Sequence, residues 1–200
     1  MKQGKSKFAI IQGYVDLTKP SILVMVLITT LLGYYLGNDG ISSWLNLFWT
    51  LLGTGLSAGG AGALNQYLER EQDKRMERTR NRPLPSGLIQ PLDALLFGLI
   101  LVLIGSILLV WKVNLLTGFL SLMTAFLYVL IYTPMKKITW LNTSLGSIPG
   151  ALPPMGGWTA ATGSIDSGAW ILFAILYLWQ HPHFFAIAWM CKKDYKKAGF

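Results

Sequence analysis

Residues Leu92–Trp111 read LDALLFGLILVLIGSILLVW, twenty positions with one charge, Asp93, at their start. As a helix such a run is about 30 Å long, the thickness of a bilayer core. Five other stretches have similar character: Ser21–Leu36, Trp44–Leu68, Leu115–Thr133, Leu141–Ala161 and Ala169–Cys191. The expected fold is therefore all-α, a polytopic membrane helical bundle of about six spans. Composition agrees: 52% of the 200 residues are hydrophobic and 13% are charged, about half the charge of a soluble domain. The spans leave no room for a separate soluble unit, so residues 1–200 are expected to form one membrane domain. Cys191, the single cysteine, excludes an intrachain disulfide and a multi-cysteine metal centre. No small-residue cleavage site follows the basic start, which therefore reads as a tail and first span, not a removable signal.

The bases set the orientation. Lys2, Lys5, Lys7 and Lys19 precede the first span. Arg70, Lys74, Arg75, Arg78, Arg80 and Arg82 lie between the second and third, Lys136 and Lys137 between the fourth and fifth, and Lys192, Lys193, Lys196 and Lys197 after the last. Only Lys112 falls on the other side. This asymmetry predicts a cytoplasmic N-terminus and cytoplasmic basic loops in a multi-pass protein of the cell membrane. It also explains the +8 net charge by topology, with no nucleic-acid partner.

Two spans carry unusual residues. The second holds Gly53, Gly55, Gly59, Gly60 and Gly62, which permit either close helix packing or a smooth groove for a lipid-like ligand. The fifth holds Pro149, Pro153 and Pro154. Proline removes a donor and clashes one turn back, so a broken helix bordering a cavity is expected there.

The chemistry gathers where the second span ends. Asn65, Glu69 and Asp73 are four residues apart and form one helical stripe, offering an amide and two carboxylates to one volume at the membrane surface. Hard cations such as Mg²⁺ take oxygen ligands of this kind together with substrate phosphates. Ordinary surface pairing of the acids, Glu71 with Arg75 or Asp73 with Arg80, is the competing reading. On either reading Asp73 is expected to be solvated. Arg70, Lys74, Arg78 and Arg82 recur beside the stripe and suit phosphate. Lys192-Lys-Asp194-Tyr195-Lys-Lys197 adds a carboxylate, a phenol and four bases. His181 and His183 lie inside the sixth span, where an ionisable group is costly and either bonds another helix or contacts a ligand.

These segments resemble the UbiA superfamily of intramembrane prenyltransferases, and within it the protohaem IX farnesyltransferases. The resemblance rests on Asn65/Glu69/Asp73, Arg78–Gly87, Tyr132–Thr139, Gly150–Trp158, Trp179–His183 and Lys193–Tyr195, and covers nearly the whole chain. Glu69 stands where many relatives have Asp. The family has about nine spans, so a chain of six is expected to be truncated at its C-terminus.

The resemblance implies that farnesyl diphosphate and haem B give haem O and pyrophosphate at a cytoplasm-facing site. Asn65, Glu69, Asp73 and Asp194 would be the catalytic Mg²⁺ ligands. Arg70, Lys74, Arg78, Arg82, Lys136 and Lys137 would meet the diphosphate, with Tyr132 and Tyr195 in the substrate site and His183, in preference to His181, against the haem. The isoprenoid tail is expected along the glycine face of the second span. Partners implied are the two substrates, the bilayer and terminal-oxidase assembly proteins. The alternatives are a prenyltransferase for a quinone precursor or chlorophyllide, a small transporter, and a non-catalytic membrane fragment.

Overall fold

The computed structural model describes residues 6–136, 138–139 and 141–192. Every regular element among them is helical. A short helix, α1 (Lys7–Leu17), precedes α2 (Pro20–Gly37), α3 (Trp44–Asp73) and α4 (Pro91–Lys112). Next comes a rod, Leu115–Met135, made of α5 (Leu115–Phe126), a π-helical stretch (Leu127–Tyr132) and α6 (Thr133–Met135). The helices α7 (Asn142–Thr162) and α8 (Ser167–Met190) follow. The sequence fixes most starts. Pro20 and Pro91 occupy first helical turns, where the missing N–H costs nothing. Ser43 and Asn114 cap α3 and the rod by accepting from Asn46 N and Thr117 N.

Five helices are long and apolar enough to cross a membrane: α2, α3, α4, the rod and α8. The remaining long helix, α7, falls outside that set and is among the most buried of all. Leucines, isoleucines and tryptophans cover the outside, as a lipid-facing surface requires. The protein is a multi-pass membrane protein.

The expected break at the prolines does not occur. Helix α7 runs unbroken through Pro149, Pro153 and Pro154, held by close neighbours on two sides. Gly33 of α2 lies against Pro154 O, and Gly157 of α7 against Thr30 O, so tightly that a Cβ at either would sit 1.9 Å from that oxygen. From α8, Gln180 Nε2 donates to Ser147 O at 3.2 Å. Close packing on both faces holds the helix in line through the prolines.

The glycines of α3 are packing surfaces. Gly53 meets Gly105 and Leu109 of α4, and Gly60 meets Gly98 and Val102. A Cβ on Gly60 would lie 2.6 Å from Gly98 O. Gly59 and Gly62 press on Thr18, and Gly55 on Leu27. The isoprenoid groove expected along this face is therefore closed by α4 on one side and by Thr18 and α2 on the other. Dispersion between closely approaching backbones is what associates helices where the surroundings are apolar.

At the end of the bundle opposite the basic loops, three asparagines hold the last turn of α7. Asn114 Nδ2 donates to Thr159 O at 2.9 Å, Asn46 to Ala160 O at 2.9 Å and Asn38 to Ala161 O at 3.0 Å. Thr159 O also accepts from the backbone of Gly163 at 2.9 Å, whereas Ala160 O and Ala161 O lie in the last turn, where carbonyls run out of helix partners.

Candidate active site at the basic end of the bundle

The last three turns of α3 carry Asn65, Glu69 and Asp73. Their fourfold spacing places them on one face, as expected, but that face is inside the protein: they are 0%, 8% and 3% exposed. The expectation of a solvated Asp73 is overturned. The loop after α3 folds back as a lid, with Met76, Thr79, Pro83, Leu84 and Ile89 buried.

Each member of the stripe meets a base from a different segment. Arg82, in the returning loop, places Nη1 2.8 Å from Asp73 Oδ2. Lys136, just past α6, places Nζ 2.6 Å from Glu69 Oε1. Lys19, between α1 and α2, donates to Asn65 Oδ1. Asn65 Nδ2 in turn donates to Thr133 Oγ1 at 2.8 Å, and Thr133 Oγ1 donates to Tyr128 O at 2.8 Å. That last bond spans five residues and closes the π-helical stretch. A π turn widens the helix, and such turns recur at functional sites. Here it stacks Tyr128 on Tyr132 with ring centres 5.7 Å apart. Lys136 Nζ sits 4.7 Å from the centre of the Tyr132 ring, and the Tyr128 hydroxyl lies 3.4 Å from Lys19 Nζ.

Burial governs the two lysines differently. It lowers Lys19 to about 7, with repulsion from Lys136 adding to the effect. Burial also opposes the Lys136 cation, but Tyr132 and Glu69 beside it raise its pKa above the ordinary lysine range.

The other sequence-predicted bases are placed elsewhere. Helix α3 stops at Asp73, so the four-residue recurrence of bases does not continue as a helical stripe. Arg70 turns back to Tyr67, donating to its carbonyl at 2.7 Å and lying over its ring. Lys74 pairs with Glu71 at 3.0 Å, and Arg78 is exposed on the loop. Glu71 and Asp73 thus pair with Lys74 and Arg82, not with Arg75 and Arg80. His181 bonds across helices, with Nε2 3.1 Å from Ser144 Oγ, while Nδ1 lies 2.8 Å from Tyr177 O. His183 is exposed and stacks on Trp179. Lys137, Asp194 and Tyr195 lie outside the described residues.

Lys19, Tyr128 and Thr133 belong to this constellation although the sequence reading gave them no role. Lys19 had been explained by topology alone. Its one local signal is its place directly before Pro20, where the chain turns with φ 54°.

The donor chemistry fits a hard divalent ion. The stripe supplies carboxylate and amide oxygens in a buried volume, and Mg²⁺ is held by one or two carboxylates plus phosphate oxygens. Among the described residues no three carboxylate, imidazole or thiolate side chains converge as a metal cage. Two carboxylates and an amide leave the remaining positions of such an ion to other oxygens, phosphate or water.

The described residues thus form an all-helical membrane bundle with buried acids and bases gathered at one end. Residues 26–200 match the UbiA prenyltransferase family, and the chain belongs to that family. It is 46% identical over 197 residues to a protoheme IX farnesyltransferase of Solibacter usitatus, covering 94% of this chain and 68% of that protein. The corresponding figures are 43% over 191 residues for one from Aquifex aeolicus, covering 95% and 65%. A mitochondrial one from Homo sapiens is 44% identical over 184 residues, covering 92% and 41%. The chain thus spans about two thirds of the length of these two bacterial relatives and less of the human one. Among solved structures, one described for digeranylgeranylglyceryl phosphate synthase superposes with TM-score 0.80 at 19% identity, covering 95% of this chain and 66% of that one. A UbiA homolog from Archaeoglobus fulgidus bound to DMAPP and Mg²⁺ gives TM-score 0.75 at 17% identity, covering 93% and 66%. These structures share the fold.

Proposed function

We propose that this chain carries the donor site of a protohaem IX farnesyltransferase, which joins farnesyl diphosphate to a vinyl group of haem B and releases pyrophosphate. The observation that carries the reading is the buried stripe Asn65–Glu69–Asp73, with each member opposed by a base from another segment. The names of the relatives supply the acceptor and the chain length of the donor.

Bound Mg²⁺ would screen the diphosphate and help it leave. Asn65, Glu69 and Asp73 are the side chains to hold it, with Asp194 proposed for a second ion. Lys19, Lys136 and Arg82 already stand at this volume and would turn their charge onto the phosphate oxygens. Fixed cations aimed at developing negative charge lower the barrier to its departure. Heterolysis of the C1–O bond leaves its electron pair on pyrophosphate and an allylic cation on farnesyl. The haem vinyl π-bond attacks C1, water adds to the resulting cation, and a proton is released. Tyr128 and Tyr132 present ring faces beside the site, and such faces attract cations.

In this reading six helices cross the cell membrane, α7 among them. The basic end faces the cytoplasm by the positive-inside rule. Arg70, Lys74, Arg78 and Lys137 remain candidates for diphosphate entry, Tyr195 for the same site, and His183 for haem. The test is reconstitution of the chain in vesicles with farnesyl diphosphate, haem B and Mg²⁺, followed by mass analysis for haem O. Haem O from the wild-type chain, and none from the Glu69→Gln/Asp73→Asn variant, supports the reading. Pyrophosphate release without haem modification would shift the assignment to another acceptor. No turnover with any prenyl diphosphate would remove the activity from this chain.

A further inference from the structure

Helix α1 contributes no side chain to the stripe, and its surface is divided into three. One side is buried: Gly13 and Leu17 pack on Leu88, Ile89, Ala63 and Ala94, and Tyr14 meets the Phe97 ring at 4.9 Å. A second flank is polar, with Gln12 Nε2 donating to Asp16 Oδ1 at 3.0 Å in the open. The third is a bare apolar strip of Phe8, Ile11 and Val15, which are 76%, 64% and 46% exposed. At about 100° per residue these three fall within one narrow sector, beside the polar flank and not opposite it.

The contacts fix the depth of α1. It touches α4 at Ala94 and Phe97, within the first two turns after Pro91, and α3 near its end, where Gln66 Nε2 donates to Asp16 O at 2.9 Å. Helix α1 therefore lies level with the place where α4 enters the apolar layer. Neighbouring α4 likewise exposes Leu92, Leu96 and Ile100. Lys7 begins the helix, and Lys2 and Lys5 precede it in the sequence.

We propose that α1 is an interfacial helix seated on the anionic phospholipid surface at the basic end of the bundle. Phe8, Ile11 and Val15 sink to the boundary of headgroup and acyl chain. Lys7, at the start of the helix, meets lipid phosphates, and Gln12 and Asp16 face water. An amphipathic helix binds such a surface through buried apolar area plus attraction to anionic lipid. The seat has a consequence for the site, because the C-terminal end of α1 runs through Thr18 into Lys19. Lipid contact along α1 thereby fixes the segment that carries the cation bonded to Asn65.

The experiment uses the full chain with Cys191→Ser, a nitroxide attached at Ile11→Cys or at Asp16→Cys, and reconstitution in two kinds of vesicle. One is pure phosphatidylcholine and the other contains one part in three of phosphatidylglycerol. The expected result is a label at position 11 that is several-fold more accessible to oxygen than to a water-soluble nickel chelate, and the reverse at position 16. The position 11 label should move deeper when phosphatidylglycerol is present. Lys7→Gln should weaken that lipid dependence without changing the helical circular dichroism. Equal access of the chelate to both labels would overturn the proposal. So would protection of position 11 from both reagents, which marks a protein partner, or identical depth in the two vesicles, which removes the anionic component.

Discussion

Arg82 Nη1 lies 2.8 Å from Asp73 Oδ2, and this pair folds the loop after α3 back over the stripe. Asp73 also accepts through its backbone, from Thr79 Oγ1 at 3.0 Å, so one residue ends the helix and anchors the lid. The carboxylate proposed to bind metal is thus also a structural partner. Asp73→Ala is expected to abolish diphosphate-dependent turnover. It is also expected to lower stability, because a buried polar group left without its partner costs about 1–3 kcal/mol. Arg82→Leu added to Asp73→Ala should recover part of the melting temperature and none of the activity. Unchanged melting of Asp73→Ala in detergent would show that the pair does not hold the lid.

Lys19 provides a pH test. Burial lowers its pKa to about 7, whereas an unfolded lysine titrates near about 10.4. Between these values the unfolded chain binds the extra proton, so stability rises with pH across that window. Below both values the lysine is charged in either state, and the full cost of burying it is present. Lys19→Met removes that cost. Its melting temperature relative to wild type should therefore be highest at the acidic side and decline as pH rises toward about 10. Parallel melting curves across this range would mean that Lys19 is not desolvated in the metal-free protein.

Gly60 distinguishes helix packing from a ligand groove. Its Cβ would lie 2.6 Å from Gly98 O and 2.8 Å from Val102 N, so Gly60→Ala must push α3 and α4 apart. A loss of several degrees in melting temperature is expected, with or without substrate. Gly156→Ala is the control, because nothing lies within 4 Å of a Cβ there. A Gly60→Ala protein that melts normally but loses affinity for farnesyl diphosphate would restore the groove.

The two histidines should separate by assay. His181→Ala breaks the bond to Ser144 and is expected to lower stability by about 0.6 kcal/mol, the average for such bonds in a membrane. His183→Ala should leave melting unchanged, since its ring is exposed. If His183 contacts the acceptor, its variant alone shifts the Soret band of bound haem. Identical spectra for wild type and His183→Ala would remove that role.

What the sequence settled was local. Apolar runs of bilayer length set the helices, since each backbone N–H and C=O must be satisfied within its own segment. The spacing of Asn65, Glu69 and Asp73 set a common face because helix period alone decides that. One-sided bases set the expected orientation. What the tertiary structure decided was everything that depends on partners distant in sequence. It buried Asp73, read as solvated, because the loop to Ile89 folds over it. It assigned Lys19, Lys136 and Arg82 to that stripe, from three segments whose sequences give no pairing rule. It set the glycines of α3 against α4, Thr18 and α2, and kept α7 helical through three prolines, because packing on two faces outweighs the local preference to break. A helical period tells which side chains share a face; only the neighbouring helices determine what that face meets.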